Sequence, residues 1–312
     1  MAEPRARRDA GGAPGLRSRA SGPRLRRGHA LATRPASSLR AEHLIVYLAL
    51  TVGALVSLSP CLVMIGQSLM TLGETLTRAP LPATPQWGNY EQAWNDADFG
   101  IYFRNSVIIT ATVILGMLIT CTLAGYAFAR IAFPGRDVLF AMLLATLMIP
   151  GTITFIPGFL LVRGDIIPWG SWLNTLPALT VPFLSTAFII FLFRQFFAQI
   201  PNELWDAARI DGAGHLRFLT TVVVPMSRPV MITATLLTFV NAWNEFLWPL
   251  LVTTNPTWRP LAVGLANFID DAGPQVHLLM AGSVITIVPV LVLYFFTQRQ
   301  FTEGIATSGL KG

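Results

Sequence analysis

Apolar and polar residues fall in this chain in long blocks rather than at strand or surface-helix period. Six apolar runs, at roughly 44–71, 105–129, 138–162, 175–198, 229–252 and 278–297, are each long enough to cross about 30 Å of hydrocarbon as an α-helix. The pattern predicts an all-α, polytopic membrane protein with six transmembrane helices. Pro150 and Pro157 interrupt the third run and are expected to kink it or open its backbone hydrogen bonds. Boundaries follow from the same pattern: a basic tail over 1–40, a first helix and external loop over 41–104, a core of five helices over 105–297, and a terminal tail over 298–312.

Between the fourth and fifth runs lies a polar island, residues 202–228, NELWDAARIDGAGHLRFLTTVVVPMSR. Its charges, Glu203, Asp206, Arg209, Asp211, Arg217 and Arg228, require water around it. Asn202 to Ile210 holds good helix formers with acids early in the segment, where the helix dipole favours them, and Pro201–Asn202 is a start signal. Gly212 and Gly214 then break the pattern before Leu216, Phe218 and Leu219 resume it, which predicts helix, sharp turn, helix. Ala207, Ala208, Gly212 and Ala213 leave the turn with little side-chain bulk, a small knob able to enter a groove on another protein.

Composition narrows the class. The 312 residues are 53% hydrophobic and 12% charged, with a mean hydropathy of +0.56, outside the balance of a soluble domain. The net charge of +6 and pI near 10.0 do not indicate nucleic acid, because ten of the 22 basic residues lie in the first 40 positions. That tail has no apolar period and reads as disordered; its arginines can lie against anionic lipid or act as a topology signal. With the amino terminus inside, the inner segments hold Arg130, Arg136, Arg194, Arg209, Arg217, Arg228, Arg299 and Lys311, whereas Arg78, Arg163 and Arg259 fall outside and Arg104 at a border. This asymmetry predicts both termini on the cytoplasmic side.

Enzyme signatures are missing. Lys311 is the single lysine, so no phosphate-binding loop can carry its lysine, and ATP, if it drives this protein, is hydrolysed by another chain. The histidines do not reach metal-ligand spacing. Cys61 and Cys121 sit in apolar runs as small buried hydrophobes. No metal or cofactor is expected on this chain.

The island resembles the EAA loop of membrane permeases in ATP-binding-cassette importers, with the acid, the two alanines, Asp211, Gly212, Ala213 and the closing Pro225 at the family's spacing. Asp206 stands where Glu is usual, and Val224 precedes Pro225 where Leu is usual. The resemblance implies a type I importer fold in a bacterial cell (inner) membrane and makes Asp206, Ala207, Ala208, Asp211, Gly212, Ala213 and Pro225 the residues that dock an ATPase. Its implied partners are a second homologous permease, two ATP-binding-cassette ATPase subunits that bind ATP and magnesium, and an extracytoplasmic solute-binding protein.

The fifth run contains NAWNEFLWPL, 241–250, in which Asn241, Asn244, Glu245 and Trp248 recur at i, i+3, i+4 and i+7, one face of a continuous helix. An intramembrane carboxylate must face the bundle interior or a watery cavity. Amide and carboxylate groups beside tryptophans suit a sugar, whose hydroxyls they bond and whose C–H face an indole covers. The same groups can instead hold helices together. Asn-x-Trp-Asn-[Glu/Asp]-Phe is similar to sugar-type permeases, and the terminal QRQFTEGIATSGLKG resembles the smaller permease subunit of maltose-type importers, which implies that Gly309 and Lys311 contact the ATPase pair. The first external loop, 72–104, with Trp87, Tyr90, Trp94, Phe99 and Tyr102, suits the outer interface or an external partner. The expected function is the permease half of an ATP-driven sugar or oligosaccharide importer. Glycerol phosphate esters, polyamines and peptides stay open as other solutes, and a secondary transporter or channel as another class.

Overall fold

The computed structural model describes residues 36–96, 98–166, 170–270 and 273–309. The segment 1–35 and Lys311 therefore lie outside the described residues. The chain divides into two units, Met1–Ser57 and Leu58–Gly312.

In chain order the helices are α1 (Ala36–Ser68), α2 (Leu72–Leu76), α3 (Gly88–Asp96), α4 (Phe99–Arg130), α5 (Arg136–Ala145), α6 (Gly151–Arg163), α7 (Leu176–Thr180), α8 (Ala187–Ala198), α9 (Asn202–Ile210), α10 (His215–Phe218), α11 (Val224–Met226), α12 (Arg228–Asn244), α13 (Leu247–Val252), α14 (Leu261–Gly264) and α15 (Val276–Gly309). Two antiparallel two-residue strands, with Ile269 opposite Pro274 and Asp270 opposite Gly273, are the only β-structure among the described residues. The helix α15 runs on through 298–309, the region expected as a tail, and Gly309 is its last residue.

Three helices are long and apolar enough to cross a membrane unbroken: His43–Ser68, Phe99–Arg130 and Val276–Thr297. Three bent pairs bring the total to six if each is one span: Arg136–Met148 with Gly151–Arg163 at 102°, Leu176–Phe183 with Ala187–Ala198 at 44°, and His215–Met226 with Arg228–Asn244 at 81°. The third apolar run breaks where its first proline stands. Ile149, the residue before Pro150, is extended (φ −86°, ψ 117°), as the proline ring demands of its predecessor, and Pro150 opens α6. Pro157 remains inside α6.

The helix α4 is the axle of the second unit, because all three apolar clusters use it. Phe99 and Tyr102 pack with Trp243, Leu261 and Phe268; Ile109 and Val113 with Val162, Leu179 and Trp248; Met117, Cys121 and Tyr126 with Phe193, Phe197 and Phe218. Small residues permit the closest approach. A Cβ on Gly125 would stand 2.8 Å from Cβ of Phe193 and 3.3 Å from the backbone nitrogen of Arg194, so α4 and α8 meet backbone to backbone there.

Polar side chains fix the ends of α4. Buried Asn105 donates from Nδ2 to the carbonyls of Thr257 and Arg259, both at 3.0 Å, and the Ser106 hydroxyl accepts the Leu261 N–H at 2.8 Å. The segment between α1 and α4 is likewise built. Asn89 donates to the carbonyls of Ser68 (2.9 Å) and Met70 (2.8 Å) at the end of α1, and Ser68 and Tyr90 hydroxyls are bonded at 2.7 Å. A capping box joins Thr71 to Glu74, whose other carboxylate oxygen accepts the Ala83 N–H at 2.9 Å. These bonds to N–H donors hold the Glu74 carboxyl below its ordinary value of 4.5.

Candidate functional site

Two sites take shape, an exposed loop at one end of α4 and a cavity toward the other. In the loop, α9 ends in a closed turn. The Ala213 N–H donates to the Ala208 carbonyl at 2.8 Å and the Gly212 N–H to the Arg209 carbonyl at 3.0 Å, with Gly212 at φ +74°. This is a Schellman motif, and the left-handed residue it needs is the glycine that the sequence supplies. After the turn, α10 leads through a π-helical stretch, Leu219–Val223, into α11, where Pro225 sits in the first turn.

The docking residues inferred from sequence surround this turn. Asp206 and Ala207 are exposed on α9, Ala208 and Ala213 are half-buried, Asp211 caps the helix, and Gly212 and Pro225 are exposed. Glu203, Asp206 and Asp211 have no ion-pair partner among the described residues. Ile210 and Leu216, which the sequence pattern placed in the two helices but not among the docking residues, flank the tip at 88% and 68% exposure. An apolar pair beside free carboxylates is a surface suited to a protein groove.

The loop is nonetheless held to the bundle. Trp205 on α9 stacks on His215 of α10, ring centroids 4.4 Å apart and planes within 18°, and meets Phe218 edge-on at 5.0 Å. His215 Nδ1 is hydrogen-bonded to the hydroxyl of buried Tyr126 on α4 at 2.9 Å. Aromatic pairs of this kind contribute about 0.5–1.5 kcal/mol each beyond their buried area. Arg130, one turn further along α4, donates from Nε to the Phe197 carbonyl at 2.9 Å, from its guanidinium to the Ile200 carbonyl, and from Nη1 to Asn202 Oδ1 at 2.6 Å. The partners of Tyr126 and Arg130 lie 67 to 89 residues away in sequence, so periodicity could not reveal them.

The cavity, of about 400 Å³, lies between α4, α7, α8, α12 and α13. Its polar lining comes from Ser106, Thr186, Thr238, Asn241 and Glu245, with Trp248 forming a wall, and no Lys or Arg among the described residues lines it. The expected single helix face is corrected here. Helix α12 stops at Asn244, Glu245 turns extended (φ −66°, ψ 122°), and α13 begins at Leu247. The cause is Pro249 in the first turn of α13: it has no N–H to continue an α-helical ladder through the carbonyl of Glu245. Asn241, Glu245 and Trp248 all line the cavity, whereas Asn244 does not; its amide donates to the Val240 carbonyl at 2.8 Å on an exposed face. Trp248 is buried and fixed by its indole N–H, which donates to the Ala178 carbonyl at 2.9 Å. Trp243, not singled out from sequence, anchors α12 to α15 through the Thr286 carbonyl at 3.0 Å.

The descriptions of similar proteins agree with this architecture. Residues 113–305 match the family model described as "Binding-protein-dependent transport system inner membrane component". The arabinooligosaccharides transport system permease protein AraQ of Halalkalibacterium halodurans is 34% identical over 233 residues, 74% of this chain and 81% of that protein. The diacetylchitobiose uptake system permease protein NgcG of Streptomyces coelicolor is 32% identical over 285 residues, 88% and 91% of the two chains. The sn-glycerol-3-phosphate transport system permease protein UgpE of Yersinia pestis is 31% identical over 236 residues, 73% and 82%. Among solved structures, a chain of a bacterial ABC transporter involved in the import of the acidic polysaccharide alginate shares the fold with a TM-score of 0.74 at 24% identity, covering 84% of this chain and 97% of that one. With its membrane-length helices, exposed closed turn and interior cavity, the chain belongs to the family of inner membrane components of binding-protein-dependent transport systems.

Proposed function

We propose that this chain is one of two permease subunits of an ATP-driven importer for a sugar or oligosaccharide. The observation that carries the reading is the loop tip: a backbone-closed turn of small residues, flanked by exposed Ile210 and Leu216 and by carboxylates without ion pairs. In the proposed cycle, two cytoplasmic ATPase subunits grip this tip and the matching loop of a second permease. Closing on ATP and magnesium, they draw the loops together and open the pathway toward an external solute-binding protein. Hydrolysis restores the inward-open state. Differential contacts in the two states are what such a switch needs, and the tip is placed to make them.

The saccharide assignment rests on the cavity and on the relatives named for arabino-oligosaccharide and diacetylchitobiose uptake. Hydroxyl, amide and carboxylate groups beside Trp248 match a neutral polyol. A phosphate ester, the solute in the name of UgpE, calls for a cation that the cavity lining lacks. The loop and carboxyl terminus are assigned to the cytoplasmic side from the arginine asymmetry, with Gly309 and Lys311 as further ATPase contacts.

The test is solute uptake into vesicles carrying the complete complex, with ATPase co-purification measured alongside. Gly212→Asp replaces the left-handed glycine with a charged residue at the tip, and both readouts are expected to collapse while the protein stays in the membrane. Retention of both would show that the loop docks nothing. Labelled arabino- and chito-oligosaccharides, competed against glycerol phosphate, then separate the solutes.

A further inference from the structure

The docking loop is bound to a helix with which it shares no chain connection. Its first limb, α9, is held at Asn202 by Arg130, and its second limb, α10, is held at His215 by Tyr126. Tyr126 and Arg130 are four residues apart on α4 and so lie on one face, one turn from each other. Trp205 stacked on His215 ties the two limbs together on that face.

The same helix reaches the cavity. Val113, Ile109 and Ser106 of α4 line it, and Val113 lies thirteen residues from Tyr126, about 20 Å along a helix rising 1.5 Å per residue. Between the two points α4 is continuous, without proline, and packed backbone to backbone on α8 at Gly125. By contrast, the covalent route from the loop into α12 passes through a π-helical stretch and an 81° bend. We propose that α4 is the rod that carries motion of the docking loop to the cavity, and that Tyr126 is a positioning residue whose hydrogen bond to His215 links loop to rod. The inference rests on the docking reading above and adds to it a path and a residue.

The experiment uses the complete complex with Tyr126→Phe. The variant keeps the ring that packs on Phe218 at 6.5 Å and removes only the hydroxyl, so the fold and ATPase docking are retained. Co-purified ATPase and basal hydrolysis are expected to stay at wild-type level, while solute transported per ATP falls roughly fivefold to tenfold, within the range of site-to-site couplings. In a His215→Ala background, adding Tyr126→Phe should bring no further fall, since both changes delete one bond. Wild-type transport per ATP in Tyr126→Phe overturns the proposal, as do fully additive losses in the double variant. A parallel loss of ATPase co-purification also overturns it, because Tyr126 would then serve docking itself. The docking reading is judged separately by Gly212→Asp, so the two can fail independently.

Discussion

The carboxylate of Glu245 accepts the backbone N–H of Trp248 at 3.1 Å, three residues ahead of it. This bond satisfies an amide at the start of α13 that the break in the span would otherwise leave open, in the manner of a helix cap. One side chain thus lines the cavity and holds the wall beside it.

Glu245→Ala is therefore expected to lose about 1 kcal/mol of local stability and to depress uptake, with Glu245→Gln, which keeps an acceptor oxygen, falling between it and wild type. Uptake assays on the three proteins at matched expression check this order. Equal rates for alanine and wild type would remove Glu245 from the pathway.

Ile210 is the most exposed large apolar side chain near the turn. If docking buries it, Ile210→Ser should weaken ATPase association by about 1.5–3 kcal/mol, roughly tenfold to a hundredfold in affinity. Titrating purified ATPase onto the detergent-solubilised permease pair measures it.

Asn105 closes two carbonyls of a segment some 150 residues away. Asn105→Ala leaves both open in a buried setting and is expected to cost about 1–3 kcal/mol; Asn105→Asp, which trades the donor for an acceptor, should be no better. Thermal unfolding in detergent reads both.

Gly125→Ala tests the contact between α4 and α8. The added methyl must displace Phe193 or spread the helices, at about 1–3 kcal/mol. A melting temperature unchanged from wild type would show that the helices are not packed this tightly.

Glu74 gives the segment between α1 and α4 a pH dependence. Its pKa is lowered by the N–H donors of Thr71 and Ala83, so its stabilising contribution is complete above the ordinary value of 4.5 and is lost as pH falls from there through the depressed value. Protection of the Thr71 and Ala83 amides against hydrogen exchange, taken relative to the intrinsic rate at each pH, should be high at neutral pH and fall in that acid window. Glu74→Gln should flatten the response.

Much of this was legible in the residues. Membrane-length runs marked the spans, and Gly212 between helix-forming segments marked the turn, because a left-handed position and a six-residue backbone closure leave a local trace. Pro150 marked a break for the same reason. The interruption at Glu245 carried a fainter sign: Pro249 stands four residues later, and the apolar run around it masked the missing N–H. The Tyr126–His215 contact left no trace, since it joins positions 89 residues apart through side chains whose types are unremarkable by themselves. Exposure at Ile210 was equally hidden; an isoleucine beside a helix end reads as core until the fold shows it facing out.

The turn after α9 closes on its own backbone, through the N–H groups of Gly212 and Ala213. A partner that grips it meets a shape already formed, so little conformational entropy remains to be lost on contact. In the proposed docking, recognition can then rest on contour more than on side-chain identity, which leaves the residues around the tip free to vary while the shape stays the same.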